Sequence, residues 1–175
     1  MEIIRRIEFE ISAETHQQIA ELYQVCFSDI PVRSYFKQLP HFRYLVFTND
    51  VLIAHLGVDH RVIRVGNNIF SIFGIIDLCV KPSDRNKGIG SKLLKILTEL
   101  AIANSIDFLF LVSHRDSFYL NNGFQTVSQS CSWLGIDEHR NCGVLDEAIA
   151  ENFMIKQTGN KVWVDKPIDL LGYMF

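Results

Sequence analysis

The sequence predicts one α/β domain with a mixed, mostly antiparallel central sheet, flanked by helices and containing one parallel strand–helix–strand crossover. Three observations support this. The uninterrupted apolar run at 108–112 is typical of a strand buried on both faces. A second apolar run, 72–80, leads through a short polar turn into a helix-period pattern at 89–100. Three strand-like runs also follow one another between residues 43 and 80, as in an antiparallel meander.

Size and composition favour a single domain. The chain has 175 residues, of which 48% are hydrophobic, and this is enough for one well-buried core. We expect one domain over 1–175, with its core at 7–134 and C-terminal strands and tail at 135–175. The formal net charge of −3 argues against a general nucleic-acid-binding protein, because such proteins depend on excess Lys and Arg.

No apolar run approaches the length of about 20 residues that a membrane span needs, and residues 1–6 lack the apolar segment of a signal peptide. The four cysteines form no C-x-x-C pair, and no Cys/His cluster has the spacing of zinc ligands. We therefore expect a cytoplasmic protein with no metal site and no membrane partner.

The first part of the chain predicts a strand, a helix and an irregular segment. Partial alternation of apolar and acidic residues predicts a strand over 2–11. Ser12 is a suitable N-cap for a helix that continues to about residue 27. The segment 32–39 is a short helix or irregular, and it stops at Pro40, which cannot continue a helix.

The meander consists of strands at 43–47, 51–65 and 69–80. Asn49 and Asp50 predict the first turn, and the Gly-Asn-Asn sequence at 66–68 has the chemistry of a hairpin turn.

The rest of the chain alternates helices and strands. The apolar tail at 170–175 is expected to dock on the domain, and it is compatible with a homodimer. In order, we expect a helix at 88–104, a strand at 108–112, a short helix at 117–122, a strand at 124–134, a loop at 135–144, a helical turn at 146–150 and a strand at 151–157.

The turn between Val80 and Lys92 has the features of a phosphate site. It carries Gly88 and Gly90 at the start of a helix, where N–H groups lack partners and the helix dipole adds positive potential. It lacks the G-x-x-x-x-G-K-[ST] pattern of nucleotide triphosphatases. Leu93 stands where the third glycine of a dinucleotide-binding G-x-G-x-x-G would be.

What remains is R-x-x-G-x-G between a strand and an amphipathic helix. This resembles the pyrophosphate loop of the GNAT superfamily of N-acetyltransferases. The segment Ser117–Phe124, an aromatic pair followed by Gly-Phe, resembles the later motif of that family, at the usual spacing. The resemblance covers about 7–124. The long strand at 54–66 and the Trp-bearing tail are similar to the branch that contains aminoglycoside 2′-N-acetyltransferases.

The resemblance implies acetyl-CoA as the ligand. The backbone of Leu78, Cys79 and Val80 would pair with the pantetheine arm, and a backbone N–H of this strand would stabilise the oxyanion. Lys81 or Lys92 would meet the adenosine phosphate. The pyrophosphate would be held by the backbone N–H groups of Arg85, Asn86, Lys87, Gly88, Ile89, Gly90 and Ser91.

The resemblance also indicates catalytic groups. Tyr119 lies at the position of the family tyrosine that faces the coenzyme sulfur, so it is the candidate acid for the leaving thiolate. Asp77 is the candidate base, because it is the single carboxylate in the apolar run before the loop. Related enzymes often carry Glu one residue earlier, where this chain has Ile76. Other candidates for the base stay open: His55, Asp59, His60, His114 or a water chain.

Taken with these residues, the resemblance implies an N-acetyltransferase that acts on a small, cationic primary amine by direct attack on the thioester. An acyl-enzyme at Cys79 is disfavoured, because no basic partner stands at an obvious spacing to activate the thiol. A non-catalytic acyl-CoA-binding module and transfer of a longer acyl chain are the alternatives. The acceptor pocket is expected to draw on acidic and aromatic residues, namely Asp29, Asp59, Asp137, Glu138, Asp146, Trp133, Trp163 and Tyr173.

Overall fold

A computed structural model of the chain describes residues 1–27 and 30–175, with 148–151 described by their backbone alone. The strands are β1 (Glu2–Ile7), β2 (Phe42–Thr48), β3 (Val51–Val65), β4 (Asn68–Val80), β5 (Phe108–Val112), β6 (Gln125–Asp137), β7 (Arg140–Gln157) and β8 (Ile168–Tyr173). The helices are α1 (Ala13–Cys26), α2 (Ile89–Ala103) and α3 (Asp116–Leu120).

The described residues divide into two compact units. The first unit comprises Met1–Asp59 and Ile75–Leu94, and the second comprises His60–Gly74 and Lys95–Phe175. The expectation of a single domain stays a prediction.

The first unit is built on the order β1-β2-β3-β4. β1 pairs antiparallel with β2, and β2 pairs antiparallel with β3. Helix α1 begins as predicted, because the Ser12 hydroxyl accepts the N–H of Thr15 at 3.2 Å. Its apolar face contributes Ile19, Leu22 and Tyr23 to a core cluster with Leu45, Leu52 and Cys79.

The second unit is built around β5. This strand pairs parallel with β4 over Ile72–Gly74 and antiparallel with β7. β7 pairs antiparallel with β6, which in turn pairs parallel with β8. Its core is rich in aromatic side chains from β4, β5 and β7, including Phe70, Phe108, Phe110 and Phe153.

The predicted fold class is confirmed. Most pairings are antiparallel, and β4, α2 and β5 form the predicted parallel crossover. The predicted docking of the tail is also correct, because β8 ends in residues that pack into the second unit: the ring of Phe175 occupies the space beside Gly74.

Three predicted segments are wrong in whole or in part. The first strand stops at Ile7, and Glu8–Glu10 form a 3-10 turn instead. The expected loop at 135–144 and helical turn at 146–150 belong to a long β6–β7 hairpin. Its turn is formed by Glu138 and His139 with φ of 40° and 62°. Non-glycine residues rarely take this left-handed conformation, so the residue types at this turn do not predict it.

Within residues 1–27 and 30–175, none of the helices has the length and apolar character that a membrane span requires. The cytoplasmic location stays a prediction.

Candidate active site

Backbone hydrogen bonds hold the start of the loop between β4 and α2. After β4 ends at Val80, Pro82–Asp84 form a 3-10 turn. The N–H of Lys81 donates to the carbonyl of Ile53 on β3 at 2.8 Å, and the N–H of Asp84 donates to the Lys81 carbonyl at 2.8 Å. The segment that follows is therefore held rigidly at its start.

Beyond this turn, backbone donors are left open. Among the described residues, the N–H groups of Asn86–Ser91 find no backbone acceptor, whereas the N–H of Lys92 already bonds to the Gly88 carbonyl at 3.0 Å. Gly88 has φ of 77°, and a Cβ placed there would meet nothing within 4 Å. The start of α2 thus offers a row of N–H donors, helix-dipole potential and an open approach, which suit a phosphate group.

The side chains of Arg85 and Lys87 bond to other groups of the same loop and so stabilise its conformation. Arg85 Nε donates to the Val80 carbonyl at 3.1 Å, and the Arg85 N–H makes a long bond of 3.4 Å to Pro82. Lys87 Nζ lies 2.7 Å from Asp84 Oδ1 and lowers the pKa of that carboxyl. Lys92 is exposed on the first turn of α2.

The predicted pantetheine-pairing residues lie at the end of β4. β4 lies between β3 and β5 in the sheet, and among the described residues its pairing with β5 covers Ile72–Gly74, so Leu78, Cys79 and Val80 lie beyond that pairing. Cys79 is buried, and a hydrogen bond with the neighbouring thiol of Cys26, together with burial, raises its pKa. Because the thiolate is the nucleophilic form, this environment disfavours an acyl-enzyme at Cys79.

Asp77 lies at a kink of β4. Its φ is 49°, and its carbonyl oxygen lies 3.0 Å from Nδ1 of His55. Ile76, the preceding residue, is buried. Burial raises the pKa of Asp77 to about 6, against the lowering effect of a hydrogen bond from Tyr23 and of the charges of Arg43 and Lys37. A carboxyl with this pKa takes up and releases protons near neutral pH, as a general base must.

Two residues of this environment were missed by sequence reasoning. Arg43 on β2 is fully buried, and its guanidinium donates to both carboxylate oxygens of Glu8, at 2.6 and 2.8 Å. The hydroxyl of Tyr23 on α1 lies 3.1 Å from Nδ1 of His55. Arg43, a lone charged residue in the apolar strand β2 (Phe42–Thr48), is a sequence signal from which a buried polar network could have been predicted.

The other proposed bases have different environments. His55 is buried, and burial together with Arg43 keeps its pKa well below the ordinary value. Asp59 is also buried and lies 3.0 Å from Nδ1 of His41. His60 and His114 are exposed, and His60 packs edge-on against Phe73 with ring centroids 5.4 Å apart.

Tyr119 lies on α3 in the second unit. It is buried, with ring centroids 5.0 Å from Phe118 and 5.5 Å from Phe124. Burial raises its pKa to about 12. Its hydroxyl therefore stays protonated across the whole physiological range, and burial makes it a weaker acid than an ordinary tyrosine.

The residues expected in an acceptor pocket also differ in environment. Asp29 lies outside the described residues. Asp137, Glu138 and Asp146 are exposed on the β6–β7 hairpin. Trp163 stacks on Phe70 in the core of the second unit, and Trp133 and Tyr173 are half-buried there. Within the described ranges there is no cluster of His, Cys, Asp and Glu that could hold a metal ion.

A protein-family model matches this chain. The model of the acetyltransferase (GNAT) domain matches residues 9–127, which is more than half of the chain. A comparison with curated proteins gave no match.

Solved structures share the fold at low sequence identity. The YhbS GNAT-family N-acetyltransferase from Escherichia coli, crystallised with CoA, has a TM-score of 0.65 at 12% identity and covers 96% of this chain and 89% of its own. A GNAT-family acetyltransferase from Brucella melitensis, in complex with acetyl-CoA, has a TM-score of 0.60 at 12% identity, with coverages of 95% and 94%.

A GCN5-related N-acetyltransferase from Anabaena variabilis has a TM-score of 0.56 at 15% identity. The match covers 75% of this chain and 34% of that protein, so the chain spans about a third of its length. None of these matches bears on the likeness to aminoglycoside 2′-N-acetyltransferases, which stays a prediction.

Proposed function

This chain belongs to the GNAT family of acetyltransferases, and we propose that it transfers an acetyl group from acetyl-CoA to a primary amine of a small, cationic acceptor. The observation that carries the proposal is the row of open N–H donors over Asn86–Ser91. These donors follow, after the short turn at Pro82–Asp84, the end of β4 that lies beyond its pairing with β5. A pyrophosphate fits the donors, and an extended pantetheine arm fits this end of β4.

In this proposal the backbone binds most of the donor substrate. Gly88 leaves room for a phosphate to approach the helix start, because no protein atom lies where its Cβ would be. Lys81 or Lys92 supplies charge for the adenosine phosphate. Arg85 and Lys87 contribute mainly through their backbone, since both side chains hold the loop through Val80 and Asp84.

Acetyl transfer then needs a general base, a hydrogen-bond donor that stabilises the oxyanion, and a general acid. Asp77 takes the proton of the attacking amine, directly or through a water molecule. A backbone N–H at Leu78 or Cys79 stabilises the oxyanion of the tetrahedral intermediate. Tyr119 protonates the departing thiolate. The new C–N bond replaces the C–S bond without an acyl-enzyme, in keeping with the raised pKa of Cys79.

The negative charge of the chain supports a cationic acceptor. The chain has a net charge of −3, and Asp137, Glu138 and Asp146 lie exposed on the β6–β7 hairpin. An amine that carries further positive charges would be attracted to such a surface.

The proposal is tested by measuring thiol release from acetyl-CoA with a panel of mono- and polyamines. We expect amine-dependent release by the wild type, and a Tyr119→Phe variant with turnover lowered by about 10²-fold at an unchanged affinity for CoA. Phe118→Leu, which alters the neighbouring ring, is the control and should keep most of its turnover.

Tight binding of CoA without release for any amine would instead identify a non-catalytic acyl-CoA-binding module. Unchanged turnover in Tyr119→Phe would remove Tyr119 from the mechanism while leaving the transferase activity in place.

A further inference from the structure

A chain of hydrogen-bonded polar side chains in the first unit leads from Glu8 towards the backbone of β4. The guanidinium of Arg43 is fully buried and donates to both carboxylate oxygens of Glu8, at 2.6 and 2.8 Å. Its Nη1 also donates to the carbonyl of Ser34, at 2.8 Å. These bonds hold Arg43 in one orientation, in which Nη1 lies 3.0 Å from Nε2 of His55.

This chain fixes the position of the proton on His55. A guanidinium carries only donors, so Nε2 of His55 accepts from Arg43. Burial and the charge of Arg43 hold the pKa of His55 well below its ordinary value, so the ring is neutral. Its single ring proton is therefore on Nδ1, which lies 3.0 Å from the carbonyl oxygen of Asp77 and 3.1 Å from the hydroxyl oxygen of Tyr23. A carbonyl can only accept, and it is the nearer of the two, so the Nδ1–H donates to Asp77.

β4 contains a β-bulge at Asp77. A Cβ added to Gly57 on β3 would lie 3.3 Å from the Cβ and from the carbonyl oxygen of Ile76, so these two residues face each other. Farther along β4, the N–H of Lys81 donates to the carbonyl of Ile53. Between these two contacts β4 advances five residues where β3 advances four. The extra residue is accommodated at Asp77, whose φ is 49°.

The hydrogen bond from His55 sets the direction of the next N–H. The carbonyl of Asp77 and the N–H of Leu78 belong to one peptide unit, which is planar and trans, so the two groups point in opposite directions. Because the carbonyl is directed to the ring of His55, the N–H of Leu78 points away from that ring. Leu78 is half-buried and lies beyond the part of β4 that pairs with β5, so among the described residues no strand on that side accepts this N–H.

The N–H of Cys79 is directed differently. Along a paired strand, the N–H groups of alternate residues point to the same neighbouring strand. The N–H of Lys81 donates to β3, so the N–H of Cys79, two residues earlier, also points to β3. Of the two N–H groups proposed as oxyanion donors, that of Leu78 is therefore the one that suits a ligand.

We infer that His55 is a positioning residue, which holds the peptide between Asp77 and Leu78 so that the Leu78 N–H donates to the thioester oxygen of acetyl-CoA. The inference rests on the proposed function. When the amine nitrogen bonds to the thioester carbon, the π electrons move to the oxygen, and the Leu78 N–H stabilises this oxyanion. The C=O bond then re-forms and the C–S bond breaks. The thiolate takes a proton from the acid, the amine loses its own proton to the base, and His55 keeps its proton throughout.

The test compares His55→Leu with His55→Asn, two side chains of the same branched shape. Both lack the Nε2 acceptor of the imidazole, but only Asn can donate to the Asp77 carbonyl. With an amine that supports thiol release, we expect turnover to fall by about 10²-fold in His55→Leu and to recover at least about tenfold in His55→Asn. The KM for acetyl-CoA should be the same in both variants as in the wild type.

Infrared spectroscopy gives a second readout, which needs no amine. In the wild type, the C=O stretch of bound acetyl-CoA, labelled with carbon-13 at the thioester carbon, should lie below that of free acetyl-CoA, because the Leu78 N–H polarises the bond. The stretch should return towards the free value in His55→Leu and stay low in His55→Asn.

Gln18→Leu is the matched control. The Gln18 side chain accepts the N–H of Leu52 on β3 at 3.2 Å, so this variant also removes a hydrogen bond between a side chain and a strand backbone of the first unit. It should change neither the C=O stretch nor the turnover.

The wild-type protein alone tests the proton on His55, which covers the case in which His55→Leu folds poorly. Nitrogen-15 NMR should show the ring proton on Nδ1 at neutral pH. A proton on Nε2 overturns the inference, because Nδ1 could then not donate to the Asp77 carbonyl.

An unchanged C=O stretch in a folded His55→Leu variant overturns the inference as well. So does an equal loss of turnover in both His55 variants, because that is the result of a purely structural role. The proposed function is judged separately: absence of any amine-dependent thiol release by the wild type would dismiss the transferase activity, while the C=O stretch of bound acetyl-CoA still reports on His55.

Discussion

Asp77 has an unusual backbone conformation, and its carboxyl lies in a buried environment that disfavours the charged form. Its φ of 49° is in the left-handed region, which Asn and Asp tolerate better than most residues. Burial raises the pKa of its carboxyl to about 6, whereas an unfolded chain has an Asp pKa of about 3.9. The folded state therefore binds more protons than the unfolded state between these pH values. Stability contributed by Asp77 is lost as the pH rises through this window.

Asp77→Asn should thus stabilise the protein at high pH. Above pH ~7 the ionised carboxylate costs roughly 3 kcal/mol relative to its unfolded state, and a neutral amide avoids this cost. The Asn amide, however, leaves one N–H donor without a partner near the Oδ2 position, and this lowers the stability of the variant by about 1–2 kcal/mol. We expect a net gain of about 1–2 kcal/mol at pH 8, and no gain at pH 5, in urea unfolding.

Asp169→Asn is the control, and it should change the stability in the opposite direction. A hydrogen bond from Arg64 and the N–H of Leu171 lower the pKa of Asp169. Removing that carboxylate should therefore cost stability at pH 8, and the loss should shrink as the pH falls through the lowered pKa. If Asp77→Asn followed the wild-type stability curve at both pH values, Asp77 would not be a buried, raised-pKa carboxyl.

At the scale of single elements, the start of α2 depends on a glycine that has two separate roles. Gly88 takes φ of 77°, which is costly for other residues, and it leaves open space above the N–H groups of the first turn. The first role concerns stability and the second concerns the ligand. They can be separated, because Gly143 on β7 has nearly the same backbone conformation, φ of 84°, and the same open surroundings.

Gly88→Ala and Gly143→Ala should each destabilise the protein by about 1 kcal/mol, since both place a Cβ on a left-handed residue. Gly88→Ala alone should raise the KM for acetyl-CoA, by about tenfold, because its Cβ enters the space that the pyrophosphate would use. Thermal unfolding and steady-state kinetics measure the two effects. An equal KM in both variants would mean that no phosphate binds close to Gly88.

At the scale of the whole molecule, the sequence predicts best those structural features that depend on residues close together in the chain. Ser12 caps α1, and Asn49 and Asp50 form the turn before β3, as expected. These features depend on neighbours in sequence. The hairpin turn at 138–139 was missed, because a Glu-His pair is not among the sequences, such as Asn-Gly or Asp-Gly, that mark a two-residue hairpin turn.

The surroundings of Asp77 were missed for a different reason. Sequence analysis identified Asp77 from the apolar run before the loop. Its backbone carbonyl meets His55, and His55 belongs to a network of hydrogen bonds from separate stretches of the chain that also includes Tyr23, Arg43 and Glu8. Hydrogen bonds between residues so far apart leave no spacing pattern. They depend on the tertiary packing of α1, β2 and β3, which a single sequence does not reveal.

The tail of the second unit shows such long-range packing in another form. The guanidinium of Arg61 lies 4.4 Å from the ring centroid of Tyr173 and 4.1 Å from that of Phe175, and its Nη1 donates to the Tyr173 carbonyl at 2.7 Å. The ring of Phe175 also lies 5.6 Å from that of Phe110, over the space where a Cβ of residue 74 would be. Gly74 is therefore needed for the tail to dock.

This contact predicts a specific non-additivity. Gly74→Ala forces the Phe175 ring to move and should destabilise the protein by about 1–3 kcal/mol. Phe175→Ala, at a half-buried position, should cost about 1–2 kcal/mol. In the double variant the Cβ added at position 74 meets no ring, so the loss should be smaller than the sum by about 1 kcal/mol or more in urea unfolding. A parallel cycle of Gly74→Ala with Ser12→Ala should be additive. Strict additivity in both cycles would contradict a tail that docks over Gly74, because the two side chains would then not compete for the same space.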